Sequence, residues 1–224
     1  MRVKLIGDTH GEEMKKIVDN LDADYLIILG DFGYYQQELV QLIYLLKWSR
    51  CCLCFIDGNH EYFPELQKSP EVSFLGGKAG KIAHNIFWLK RGEVYNILGY
   101  KFLVFGGAYS IDKSYRIPGE SWFEEEEYNE VELENLKQNI IRYQGDFDYI
   151  LTHDAPESIV KKMISQYSFI PNRTITLLET IKNRCCFKHW YFGHHHIDWD
   201  WESFTCLWET YEVIDLEEIK SDGL

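Results

Sequence analysis

The stretch Val3-Lys4-Leu5-Ile6-Gly7-Asp8-Thr9-His10-Gly11-Glu12 runs an apolar, strand-like segment directly into an acid and an imidazole flanked by glycines. The same order returns four times. YLIIL precedes Gly30-Asp31, CLCFI precedes Asp57 and the run Gly58-Asn59-His60-Glu61, DYIL precedes Thr152-His153-Asp154, and HWYF precedes Gly193-His194-His195-His196. A strand that ends in a potential ligand is a rigid mount, and strands lying side by side carry such ends to one edge of a sheet. The pattern predicts a two-metal centre assembled from strand ends.

Working outward, helical patterns at 12–21 and 36–48 separate the first three apolar runs, which gives a βαβαβ unit with parallel strands. From Val72 to Tyr109 the short runs IFWL, VYNIL and KFLVFGGAY are divided by turn signals at GG, RG and LG, which predicts antiparallel hairpins and a second sheet. Helical periodicity returns between Trp122 and Arg142, and the last part reads strand, helix, strand, closing on WDWESF, TCLWE and TYEVI. The fold class is therefore α/β, a sandwich of two sheets flanked by helices, with residues 1–224 forming one domain.

Composition narrows the function classes. Hydrophobic content of 46% and aromatic content of 16% suit a globular core, and no apolar stretch approaches the roughly 20 residues that span a bilayer, so no membrane partner is expected. No secretory signal pattern follows Met1, which gives a cytoplasmic expectation. The six cysteines form no CxxC pair and read as buried structural thiols in a reducing compartment. A formal net charge of −13 disfavours broad contact with nucleic-acid backbones, though two divalent cations in a cleft would outweigh that average locally. The acidic residues Glu120, Glu124 to Glu127, Glu130, Glu132 and Glu134 read as a solvated helix start.

Each ligand type has its own chemistry. Asp8 and His10, one residue apart, can chelate the same ion. Asp31 has two oxygens and can bridge two cations about 3.5–4 Å apart. Asn59 offers a neutral carbonyl oxygen, whereas His60, pointing elsewhere, can donate a proton to a leaving oxygen. His153 stands at a strand end, and His194 and His196, at i and i+2, share one side. Alone, each has a bland reading as a turn acid, a polar loop or a satisfied histidine. Together at five strand ends, they supply a double coordination shell.

The ordered blocks GDTHG, GDFG, GNHE, THDAP and GHHH resemble the DxH, GD, GNH, H and GHxH blocks of the calcineurin-like metallophosphoesterase superfamily, small bacterial and phage members included, over Asp8 to His196. The resemblance implies a four-layer α-β-β-α sandwich and two metals, one on Asp8, His10, Asp31 and His196, the other on Asp31, Asn59, His153 and His194. It also implies a metal-bridging water or hydroxide as nucleophile, His60 facing the leaving group, Asp31 central to catalysis, and His195 turned away. Asp57 reads either as an orienter of His60 or as a strand-end cap. The donor set suits manganese, with iron, zinc, nickel or cobalt as alternatives.

The serine/threonine phosphoprotein phosphatase branch carries phosphate-holding arginines in GDxxDRG and RGNHE. This chain has GDFGYY, with Tyr34 in that region, and DGNHE, which disfavours that branch. The segment Phe105 to Arg116 is expected to border the cleft, with Lys113 and Arg116 holding substrate and Tyr109 or Trp122 stacking on it, or else to be an ordinary loop before a helix capped by Ser121. Trp199, Trp201 and Trp208 read as core residues. The expected partner is a phosphate ester, either a monoester or a diester, including a nucleotide or a nucleic-acid end. The competing classes are a catalytically silent metal-binding interaction protein and a structural zinc module that would unfold on chelation.

Overall fold

In the computed structural model, which describes residues 1–164 and 169–217, period-two alternation decides where each strand residue goes. Strand β1 (Arg2–Ile6) sends Val3 and Leu5 to one core and Ile6 to another. Strands β2 (Tyr25–Ile28) and β3 (Cys52–Ile56) repeat the division: Ile27, Cys54 and Ile56 face the first core, and Leu26, Ile28, Leu53 and Phe55 face the second. Both faces are buried, so the runs read as continuously apolar. The parallel ladder β1-β2-β3 is the expected unit, its crossovers carrying helices α1 (Met14–Val18) and α2 (Gln36–Leu46). Helix α1 is shorter than the predicted 12–21. Its first turn is given up to the ligand loop, whose Thr9 and His10 N–H groups donate to the Asp31 carbonyl at 3.1 and 2.7 Å.

Helix α3 (Phe63–Leu66) follows, then β4 (Glu71–Phe74), β5 (Gly77–Ala83) and β6 (Ile86–Leu89). These strands are antiparallel to one another as expected, but they extend the first sheet, because β6 pairs in parallel with β3. The second sheet begins with the hairpin β7 (Val94–Ile97) and β8 (Tyr100–Phe105). Helix α4 (Glu130–Arg142) starts later than the periodicity suggested, capped by the Asn129 side chain, which accepts from the Glu132 N–H while the Asn129 N–H donates to the Glu132 carboxylate, so Ser121 is not its cap. Glu124–Glu126 form a short 3₁₀ turn instead, and Glu126 is buried, which corrects the reading of that acidic run as one solvated helix start.

The remaining elements are β9 (Tyr149–Thr152), α5 (Glu157–Met163), α6 (Arg173–Arg184), β10 (His189–Phe192), β11 (Trp199–Trp201), β12 (Phe204–Cys206) and β13 (Tyr211–Asp215). The second sheet has the order β11-β12-β10-β9-β8-β7, and β13 returns to the first, giving β13-β1-β2-β3-β6-β5-β4. Leu151, Tyr191, Phe102 and Val104 of the second sheet meet Leu5, Ile27 and Ile56 of the first in a shared core. On the outer faces, Ile17, Leu42 and Leu46 cover the first sheet, while Leu136, Ile159, Ile175, Leu178 and Ile181 cover the second. The layers are helix, sheet, sheet, helix, as expected.

All six cysteines are free. Cys51, Cys54, Cys185 and Cys206 are buried, but Cys52 is half-buried and Cys186 exposed, so the buried-thiol reading holds for four of the six. Trp199 and Trp201 pack on the outer core of the second sheet.

Candidate metal centre

The carboxyl ends of β1, β2, β3, β9 and β10 lie on one edge of the sandwich, and the loops leaving them are pinned to one another. Backbone N–H groups set the two central carboxylates: His194 donates to both Asp8 oxygens at 3.1 and 3.2 Å, and His60 donates to Asp31 Oδ1 at 2.7 Å. The loops meet so closely that a Cβ on Gly58 would come within 2.0 Å of Asp31 Oδ1, and one on Gly193 within 2.3 Å of Asp8 Oδ1. His10, Asp31, His194 and His196 all hold positive φ, between 48° and 68°. Non-glycine residues bear that conformation where the surroundings impose it, and such positions gather at ligand sites.

Seven predicted ligands converge here. His196 Nε2 lies 3.2 Å from Asp8 Oδ2 and 3.0 Å from His10 Nε2. The two Asp31 oxygens face different partners: Oδ2 is 3.8 Å from His10 Nε2, and Oδ1 is 3.4 Å from His153 Nε2. His153 Nδ1 donates to the Leu29 carbonyl at 2.8 Å, and its Nε2 lies 3.1 Å from Asn59 Oδ1, so that Nε2 is the ring atom a cation would take in exchange for its proton. The His194 ring sits 4.9 Å from that of His153. Two triads have donor atoms close enough to share an ion, Asp8-His10-His196 and Asp8-Asp31-His153.

Asp8 and Asp31 are fully buried, and among the described residues no lysine or arginine pairs with either carboxylate. Such acids need positive charge, and a set of carboxylate, amide and imidazole donors fits divalent cations of the manganese, iron or zinc type. Burial raises Asp31, but the charge on His153 holds it below the ordinary carboxylate range. Burial lowers His153, and the Asp31 carboxylate pushes it back up, to about 10. Burial pushes His194 down to about 4, leaving it neutral and able to ligate.

A supporting shell orients these donors, and most of it escaped sequence reasoning. Asn59 Nδ2 donates to Ser110 Oγ at 3.1 Å, Ser110 in turn donates to buried Glu126, and the amide oxygen of Asn59 is thereby aimed at the cluster. Glu61 accepts from the Phe32, Gly33 and Gly58 amides and the Tyr35 hydroxyl, tying the Asp31 loop to the Asn59 loop. Burial and the Asp31 charge push Glu61 up to about 8 against the Tyr35 bond. His195 turns to Asp154 Oδ1, 3.0 Å away, while still bordering the cavity. The only signal for Glu61 was its place in GNHE; Ser110 and Glu126 had none.

Asp57 does not face His60. It accepts from Trp88 Nε1 at 2.9 Å and from Arg91 Nε at 2.7 Å, a buried ion pair that fixes the end of β3. Arg116 does reach the site, with NH2 3.0 and 3.3 Å from the two His60 ring nitrogens and Nε held 2.8 Å from Asp112. Lys113 does not: its Nζ lies 3.9 Å over the Trp122 ring and borders a separate cavity of about 530 Å³ with Asp57, Trp88 and Arg91. The cavity of about 470 Å³ lined by Asp31, Asn59, His194 and His196 is smaller; because it holds these donors, it is the candidate site. Tyr109 lines it and Trp122 does not. Tyr34 packs inward on Phe32, so it is no substitute for a phosphate-holding arginine. Trp208 is not a core residue: it stacks on His196.

A sequence profile of the calcineurin-like phosphoesterases matches residues 1–198. The chain belongs to that family. A search of curated proteins finds no sequence that matches it. Metal-dependent phosphoester hydrolysis is the chemistry of the family, and the grouped acids and imidazoles of this member can hold metal. Among the described residues no helix is long and apolar enough to cross a membrane.

Proposed function

We propose that the protein is a phosphoric-ester hydrolase with a dinuclear centre, acting as one domain on a monoester or diester that includes nucleotides and nucleic-acid ends among its candidates. Asp8, His10, Asp31 and His196 would hold one cation, and Asp31, Asn59, His153 and His194 the other. The observation that carries this reading is the Asp31 carboxylate, fully buried, without a lysine or arginine partner among the described residues, and presenting one oxygen to His10 and the other to His153. Bound there, two divalent cations supply positive charge to the phosphoryl oxygens and acidify water.

The chain's own groups do the rest. Arg116 sets a guanidinium at the cavity wall beside His60, where it can bind an anionic phosphoryl oxygen. Burial lowers His60, so its ring is neutral near pH 7 and offers an N–H to the oxygen that leaves. The fixed loop amides hold Asp8 and Asp31 without rearrangement. Manganese is the first metal to test, followed by iron, zinc, nickel and cobalt, and the free cysteines accord with a cytoplasmic setting.

Chelated protein refilled with manganese should hydrolyse p-nitrophenyl phosphate or bis-p-nitrophenyl phosphate, and the preferred ester separates monoesterase from diesterase. His60→Ala should keep the metals and lose turnover most on esters with poor leaving groups. Stoichiometric metal with no turnover on either ester would instead make the chain a metal-binding interaction protein.

A further inference from the structure

The cavity at the candidate metal centre has a mixed lining. Beside Asn59, His60, Arg116, His194, His196 and other polar groups stand five aliphatic side chains, Ile111, Val160, Ile164, Ile170 and Ile175. Val160 and Ile175 are anchored in the outer core through α5 and α6, so that part of the lining is firm. Ile111 and Ile170 belong to no core and are 72% and 44% exposed. Large aliphatic side chains left open at the mouth of a polar cleft mark surface that a ligand covers. Arg116, which reaches His60, shares its loop with Ile111, so a phosphoryl group held there would have its alcohol near aliphatic lining.

We infer that the aliphatic lining receives the alcohol part of the ester, and that this alcohol presents an apolar face about the size of an aromatic ring, not a small polyol. The inference rests on the hydrolase reading above. In manganese-loaded protein, phosphate release from benzyl phosphate, whose alcohol leaves no more readily than that of glycerol, should exceed that from glycerol 2-phosphate. The exposed pair of substitutions Ile111→Ser and Ile170→Ser should lower kcat/KM for benzyl phosphate by about tenfold while leaving glycerol 2-phosphate unchanged. Equal losses on both esters, or none, overturn the inference and leave the hydrolase reading standing. Calorimetry with phenylphosphonate and methylphosphonate needs no turnover: preference for the phenyl compound, lost in the double variant, supports the apolar subsite, and equal affinities overturn it.

Trp208 carries a separate role. Its ring stacks on His196 with centroids 4.0 Å apart and planes 17° from parallel, and the His196 side chain remains 47% exposed. Trp208 is itself held by its N–H to Asp198 at 2.8 Å, while Lys16 bonds both the Trp208 and the Asp8 carbonyls. We propose that Trp208 is a positioning residue that keeps His196 facing Asp8. Trp208→Ala should weaken manganese binding by about tenfold, and Trp208→Phe should restore most of it, both read by calorimetry on protein with an unchanged circular dichroism spectrum. Cobalt should also quench tryptophan emission less in Trp208→Phe than in the parent. Unchanged manganese affinity in Trp208→Ala would overturn the assignment.

Discussion

Asp31 and Asp57 stand just past the ends of neighbouring parallel strands, and both are fully buried, yet their surroundings are opposite. Asp57 meets a guanidinium and an indole N–H, and its bonding is complete. Asp31 meets imidazoles and one backbone amide, so its negative charge is answered by groups that are themselves candidate ligands. Burial of an acid therefore separates nothing; the partner does. An acid closed by arginine is part of the scaffold, and an acid ringed by histidines can be part of a metal site.

The largest expected effect tests the open acid. Asp31→Asn should lower ester hydrolysis by about 10³-fold and reduce bound manganese, while the metal-free variant melts within a few degrees of the parent. Activity retained within about tenfold would break the contrast, because Asp31 would then resemble Asp57.

The closed acid should behave the other way. Asp57→Ala leaves buried Arg91 with Glu132 as its remaining carboxylate and should cost about 3 kcal/mol in urea unfolding, whereas manganese bound per folded molecule stays near that of the parent. If the variant keeps its stability but loses metal, Asp57 belongs to the centre after all.

Glu126 sharpens the comparison from between the two. It is buried, accepts from Ser110, and stands 3.7 Å from Arg116. Burial pushes it up to about 7 from an ordinary 4.5, against the Ser110 bond. A carboxyl raised on folding contributes stability that is complete below about pH 4.5 and lost as pH rises through about 7. Glu126→Gln should remove that decline, so the gap between variant and parent melting temperatures should move in favour of the variant across this window. A gap that does not change with pH would mean that Glu126 is ionised throughout and paired as firmly as Asp57.

Much of this was legible in the sequence for a physical reason. The ligand blocks follow strands buried on both faces, whose short continuous apolar runs are local signals, and the βαβαβ order follows from their alternation with helices. Pairing across the chain was not local. The hairpins after Val72 read correctly as antiparallel, but nothing near them says that β6 joins β3 or that β13 returns to β1. The same limit divides Lys113 from Arg116. They are three residues apart in one loop, and a 3₁₀ turn at Lys113–Tyr115 sends one to Trp122 and the other to His60.

The sequence by itself determined the donor types, their order, and the strand ends on which they are mounted, because those depend on residue chemistry and short-range periodicity. Only the tertiary structure decided which acid is closed by arginine, which arginine reaches the site, that Trp208 lies on His196, and that aliphatic side chains line the same cavity as the candidate ligands. Each of these is a contact between residues far apart in the chain or on one turning loop, and such contacts are fixed by the packing of the two sheets and their helices.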